Sequence, residues 1–89
     1  MPYSDKAKKY ILTTRCTFDT YMDVFGAYTQ MYGKATILYN SDGYYEIIAE
    51  LNWDPHSDGA NFDMFVDAVR NIANYGWPEY DPFSLRVEE

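Results

Sequence analysis

The sequence predicts a single α+β domain whose elements follow the order β-α-β-β-α-β. Three observations support this class. Four segments show the alternating pattern of strands, two show the three- and four-residue spacing of amphipathic helices, and a length of 89 residues suits one hydrophobic core. An apolar fraction of 47%, with 19% aromatic residues, is far above that of a disordered chain, so the domain is expected to fold.

The first strand and the first helix are predicted from the N-terminal third of the chain. Residues 9–17 are rich in β-branched and aromatic types that alternate in polarity. Thr17 is a candidate N-cap for the helix that follows, and Gly33 would end that helix. The apolar positions of this helix are Phe18, Tyr21, Met22, Phe25, Tyr28 and Tyr32.

A β-hairpin is predicted next, from two strands over residues 34–40 and 44–53. Ser41, Asp42 and Gly43 form its loop, in which glycine suits the left-handed position. A two-residue loop would instead pair an isoleucine with a glutamate. The three-residue loop aligns an apolar face by pairing Tyr39 with Tyr45, Ile37 with Ile47, and Ala35 with Ala49.

The last third of the chain predicts a second helix and a fourth strand. Gly76 and Pro78 would stop the helix, and residues 83–89 alternate as a strand with Phe83, Leu85 and Val87 facing inward. The apolar stripe of the helix consists of Phe62, Phe65, Val66, Val69, Ile72 and Ala73.

The six elements fit a ferredoxin-like sandwich, a four-stranded antiparallel sheet of order 4-1-3-2 with both helices on one face. The other face of the sheet would stay open. Alternation places Ile11, Leu38, Tyr44 and Ile48 on this face among charged residues. One hypothesis is therefore a structural or regulatory module that pairs through its open face into a homodimer.

Charge and composition limit the partners and the compartment. Fourteen acidic and seven basic residues give a formal charge of −7, which disfavours direct nucleic-acid binding and favours a basic protein or nucleoprotein complex. Cys16 is the only cysteine, so no intrachain disulfide can form, as is typical of the cytoplasm. No signal peptide or membrane span is visible, and a cytoplasmic location is expected.

Catalytic and cofactor motifs are not apparent in the sequence. There is no nucleophile paired with a base, P-loop, dinucleotide-binding glycine pattern or zinc spacing, so neither an enzyme nor a cofactor is expected. The element order is shared with RNA-recognition domains, but Glu46 and Glu50 would lie on the open face where RNA stacks. Acylphosphatases share this order as well, but residues 15–20 do not match their phosphate-binding loop. A pocket assembled from distant residues remains an alternative.

Acidic residues recur at helical spacing. Asp19 with Asp23, and Asp63 with Asp67, are four residues apart, which corresponds to about 6 Å along a helix axis. This spacing resembles that of phosphates along a nucleic acid. The simpler interpretation is that these residues form solvated helix faces.

A second acidic group is expected at one end of the sheet. The topology brings Asp42, at the hairpin tip, towards the segment that precedes the last strand. Asp42, Glu79 and Asp81 would then surround Trp77 and Tyr80. Aromatic rings among carboxylates suit docking of an arginine- or lysine-rich partner, although a tryptophan that caps the core is the alternative.

Short, acidic, tyrosine-rich chains without catalytic motifs resemble phage-encoded anti-defence proteins, including anti-CRISPR inhibitors and DNA mimics. The resemblance spans the whole chain but concerns only size, charge and composition, so it assigns no residue. It implies a non-enzymatic inhibitor of a basic, nucleic-acid-handling complex such as a CRISPR-Cas nuclease, acting in the host cytoplasm.

Overall fold

A computed structural model describes residues 8–74 and 79–88. Within these residues the predicted element order is confirmed, with one short 3-10 helix (Pro55–Asp58) inserted before the second α-helix. None of the helices described is long and apolar enough to cross a membrane. The elements are β1 (Lys9–Cys16), α1 (Tyr21–Tyr32), β2 (Thr36–Asn40), β3 (Tyr44–Leu51), α2 (Ala60–Ala73) and β4 (Phe83–Glu88).

The four strands form one antiparallel sheet of order β2-β3-β1-β4. This is the predicted order read from the other edge. Strand β1 is central and pairs on both sides, with Leu12 opposite Ala49 of β3 and Leu85 of β4. Strands β2 and β4 form the two edges of the sheet.

The core lies between one face of the sheet and the two helices. Leu12 and Ile47 of the sheet are fully buried against Val24 of α1 and Val69 of α2. One polar pair is enclosed with them: the Thr14 and Tyr28 hydroxyls are 2.6 Å apart, and either oxygen can donate the hydrogen bond. Burial of these apolar side chains is the main force that holds the helices on the sheet.

The hairpin has the predicted three-residue loop. The Gly43 N–H donates to the Asn40 carbonyl at 2.9 Å, and Gly43 has a φ of 94°, which is strained for any residue with a Cβ. The predicted pairs Tyr39–Tyr45 and Ile37–Ile47 are confirmed. The third predicted pair is not formed, because β2 begins one residue after Ala35.

The start of the first helix differs from the prediction. Residues 17–20 form a turn in which the Thr17 N–H donates to Thr20 Oγ1 at 3.2 Å, and α1 begins only at Tyr21. Phe18 therefore lies outside the helix and is 69% exposed, rather than on the buried stripe. Asp19 lies in the same turn, so the helical spacing predicted for Asp19 and Asp23 is wrong.

Two further predictions concern the C-terminal third. Val87 was predicted to face inward but is 46% exposed. It lies near the end of an edge strand, whereas Phe83 and Leu85 of the same strand line a groove with residues of α2. The predicted helix stops Gly76 and Pro78 lie outside the described residues.

Candidate functional site

The aromatic and acidic cluster predicted around Tyr80 is arranged differently in the structure. Trp77 lies outside the described residues. Asp81 accepts two hydrogen bonds from the Arg70 guanidinium, at 3.1 and 3.0 Å, and one from the Phe83 N–H at 3.1 Å. The hydrogen bonds from Arg70 lower the pKa of Asp81 below its ordinary value. Asp81 thus joins α2 to the start of β4 and is not an unpaired carboxylate beside Tyr80.

Tyr80 instead contacts an arginine of its own chain. The Arg15 guanidinium lies 5.4 Å from the centroid of the Tyr80 ring and 5.2 Å from that of Tyr44, and its Nη1 donates to the Tyr80 hydroxyl. Its Nε is 3.8 Å from Glu46 Oε2. The cation that the sequence assigned to a partner is therefore supplied internally.

The open face of the sheet forms a groove of about 450 Å³ at the side of this arginine. Ile11, at its centre, is only 6% exposed, because its cross-strand neighbours Glu50 and Arg86 flank it. Many of the charges here are paired with one another, for example Lys9 Nζ with Glu50 Oε1 at 3.6 Å. The groove thus has a charged rim over its apolar centre, and homodimerisation through this face stays a prediction.

A cluster of four aromatic rings, two exposed and two half-buried, lies on the helix side of the hairpin. We call Phe18, Tyr21, Tyr39 and Tyr45 the aromatic patch. The Tyr21 and Tyr45 rings stack with centroids 4.1 Å apart, and Tyr39 meets Tyr45 edge-on at 5.1 Å. Phe18 lies 5.8 Å from Tyr21. Because Phe18 and Tyr39 are 69% and 66% exposed, the patch presents apolar ring surface to solvent.

Local structure explains how these rings come together. The hairpin register places Tyr39 beside Tyr45, and the pairing of β1 with β3 places Cys16 on the other side of Tyr45. The turn after Cys16 therefore carries Phe18 past the Tyr45 ring, 6.2 Å away between centroids. The stack of Tyr21 on Tyr45 fixes the first turn of α1 against the hairpin.

Three of the predicted acidic residues belong to the segments that build the patch. Asp19 follows Phe18, Asp23 lies in the first turn of α1, and Asp42 lies at the hairpin tip; all three are exposed. Their carboxylates form no ion pair within the described residues. Residues 16–69 contain nine acidic side chains and one basic side chain, Lys34. The patch therefore lies in a strongly acidic part of the chain.

The other predicted acidic residues are elsewhere. Asp63 and Asp67 are exposed on α2, four residues apart as predicted, and line a groove of about 480 Å³ between α2 and β4. Arg70 lines the same groove. Glu79 is exposed in the turn before β4. Of the predicted partner-binding residues that the structure describes, Asp63 and Asp67 thus lie on α2, apart from the segments that build the aromatic patch.

The largest pKa shifts belong to core residues rather than to either surface. Burial raises the pKa of the Cys16 thiol to about 12, which keeps it protonated and unreactive at neutral pH. Burial also raises the pKa of Tyr28 above its ordinary value. Among residues 8–74 and 79–88, no group of three or more His, Cys, Asp or Glu side chains is placed to hold a metal ion.

Comparison of the chain with protein-family models, curated proteins and solved structures finds no match in any of the three. The aromatic patch is the feature that sequence reasoning missed, since its rings come from three separate segments. The predicted hairpin register and strand order could together have indicated the patch, because they place Tyr39 and the end of β1 on either side of Tyr45.

Proposed function

We propose that this protein is a non-enzymatic acidic inhibitor of a basic, nucleic-acid-handling complex, such as a bacterial defence nuclease, and that the aromatic patch anchors it. The observation that carries this proposal is the aromatic patch, with its exposed Phe18 and Tyr39 rings, on segments bearing three carboxylates that have no ion-pair partner among the described residues. We further propose that the fold belongs to the ferredoxin-like class, on the basis of its strand order and its two helices.

The chemistry of the patch favours an arginine- or lysine-bearing surface. Cations are attracted to the faces of aromatic rings, and carboxylates beside the rings add charge-assisted hydrogen bonds. Phe18 and Tyr39 would lose their large exposed area on docking, and buried aromatic residues are frequent centres of binding energy. Asp19 and Asp23 would pair with the cations that surround such an anchor.

The proposed inhibition follows from the kind of site that this acidic protein would occupy. A nucleic-acid channel is lined by lysine and arginine, and a chain of formal charge −7 is drawn to it at long range. Once docked, the acidic protein excludes phosphates from the same positive charges. Neither a cofactor nor turnover is required for this mechanism.

We expect the tagged protein to capture such a complex from bacterial lysate at low salt and to lose it at high salt, with the retained proteins identified by mass spectrometry. With the captured complex purified, Phe18→Ala should weaken binding about 30-fold, the size of a hot-spot loss of about 2 kcal/mol. Asp19→Lys with Asp23→Lys should weaken binding further and flatten its salt dependence.

The matched control is Asp63→Lys with Asp67→Lys, which changes the net charge equally on α2. It should leave most of the affinity intact. If both double variants weaken binding equally, only net charge matters. If Phe18→Ala has no effect on binding, the aromatic patch is not the anchor. If the captured complex still binds nucleic acid when it is saturated with this protein, the proposed inhibition is wrong.

A further inference from the structure

Among the residues that the structure describes, nothing pairs with the outer edge of β2, and the strand carries no charge. Strand β2 pairs only with β3 within the described residues, and its five residues, TILYN, include neither a charged side chain nor a proline. Leu38 is 47% and Tyr39 66% exposed. Edge strands usually carry a lysine, a proline or a bulge that prevents pairing with another chain. The opposite edge strand, β4, has the Arg86–Glu88 ion pair, whereas β2 itself contains no charged side chain.

A second copy of the chain matches this edge in one register. Antiparallel pairing of all five β2 residues with a second β2 requires Leu38 to face Leu38, with Thr36 opposite Asn40 and Ile37 opposite Tyr39. On the open face this register pairs Thr36 with Asn40 and Leu38 with its own copy, and on the helix face it pairs Ile37 with Tyr39, so polar residues meet polar ones and apolar residues meet apolar ones. No other register uses the full strand.

The same register aligns the charges that flank β2. Lys34 lies two residues before the strand, and Asp42 lies two residues after it in the hairpin loop, so this register brings the long Lys34 side chain of one copy near Asp42 of the other. Lys34 is the only basic side chain in residues 16–69, and both residues are exposed without an ion-pair partner in the part of the chain described. A two-fold axis at Leu38 would form this pair twice.

We propose that two copies of this chain join through their β2 edges into one continuous eight-stranded antiparallel sheet, with a Lys34–Asp42 ion pair at each end of the new strand pair. The two-fold axis is perpendicular to the sheet, so both copies keep their helices on the same side. The contact is isologous and small, since each copy contributes one strand of five residues. It shares Tyr39 and Asp42 with the surface proposed above, whereas Phe18, Asp19 and Asp23 lie outside the new strand pair, so their variants test the two proposals separately.

The like net charge of the two copies opposes association, since each carries −7. At an ionic strength of about 0.15 M this repulsion is screened beyond about 8 Å, whereas the Lys34–Asp42 pair acts at contact distance. Backbone hydrogen bonds along β2 and burial of Leu38 supply the remaining attraction. The dimer should therefore be measured at physiological salt.

The experiment is sedimentation velocity on the purified protein over protein concentrations of roughly 5 to 500 µM, a range that covers weak edge-strand pairing. The mass should rise towards twice the 10.4 kDa of one chain. Leu38→Lys, which sets two ammonium groups face to face at the axis, should abolish the dimer. Ile48→Glu, on the open face of the sheet, should leave it intact. A wild type that stays monomeric throughout overturns the proposal.

A charge exchange tests the register. Lys34→Asp should weaken the dimer at least about tenfold, because both ion pairs become repulsive. Adding Asp42→Lys should restore it, whereas adding Asp67→Lys, which gives the same net charge on α2, should not. Each variant is checked for its native circular dichroism. Equal recovery in both double variants, a dimer that resists Leu38→Lys, or one lost with Ile48→Glu would each overturn this interface.

Discussion

Raising the pH above about 9 is expected to remove much of the stability of this protein. Cys16 and Tyr28 are completely buried in the core and neutral, and burial raises the pKa of the Cys16 thiol from an ordinary 9.0 to about 12. Burial likewise raises the pKa of Tyr28, with smaller upward contributions from Cys16 and Tyr32 and an opposing one from its hydrogen bond to Thr14. The core therefore accepts these groups only in their protonated forms.

The free energy of unfolding falls with rising pH because the unfolded state releases these protons at a lower pH than the folded state. In the unfolded chain Cys16 ionises near pH 9, whereas in the folded chain it keeps its proton up to about pH 12. The contribution of Cys16 to the free energy of unfolding is therefore constant below about pH 9 and falls as the pH rises towards 12. For Cys16 alone the loss is on the order of 4 kcal/mol, against a typical total of about 5 to 15 kcal/mol.

Urea unfolding followed by circular dichroism between pH 7 and about pH 11 measures this loss. The control is Cys16→Ala, which removes the thiol and should delay the onset of the fall to the tyrosine range. Its absolute stability is lower because a small cavity is created, so the comparison is between the slopes with pH. Parallel curves for both proteins would show that Cys16 does not contribute.

The second large effect is expected at the buried hydrogen bond between Thr14 and Tyr28. Both side chains are fully buried, and their oxygens are 2.6 Å apart. Thr14→Val keeps the shape of the residue but leaves the Tyr28 hydroxyl without this partner in the core. We expect a loss of about 1 to 3 kcal/mol in the free energy of unfolding, measured by urea titration at pH 7.

A double-mutant cycle separates this hydrogen bond from general packing. Tyr28→Phe should also destabilise the domain, because it leaves the Thr14 hydroxyl unpaired. The double variant removes both polar groups and should be destabilised by clearly less than the sum of the single losses. Additive losses would mean that the two hydroxyls do not interact in solution.

The strands and the sheet could be predicted because their signals are local or depend on one loop. Alternation identified β1, β3 and β4, and the position of Gly43 set the hairpin register, since a left-handed residue at the third loop position allows few alternatives. The start of α1 could not be predicted in the same way. Thr17 and Thr20 are both good cap residues, and hydrogen bonds between them form a turn before the helix.

The candidate site was less predictable because its contacts join distant segments. Phe18 appeared to continue the apolar stripe of α1, and only the three-dimensional course of the turn shows it beside Tyr45. Similarly, the acids near Tyr80 suggested a site for an external cation. In the structure the cation beside Tyr80 is Arg15, which is 65 residues away in sequence. Neither Arg15 nor Tyr80 carries a local signal of this contact.

The contact of Arg15 with Tyr44 and Tyr80 also has a consequence for the order of folding. It joins the hairpin, the central strand and the segment before β4, and its two most distant members can meet only after the intervening chain has been arranged. Closing so long a loop costs entropy before any contact is gained, so this contact should form after the folding transition state. Loss of the Arg15 side chain would then accelerate unfolding while leaving the folding rate nearly unchanged, so this arginine chiefly prolongs the lifetime of the native state.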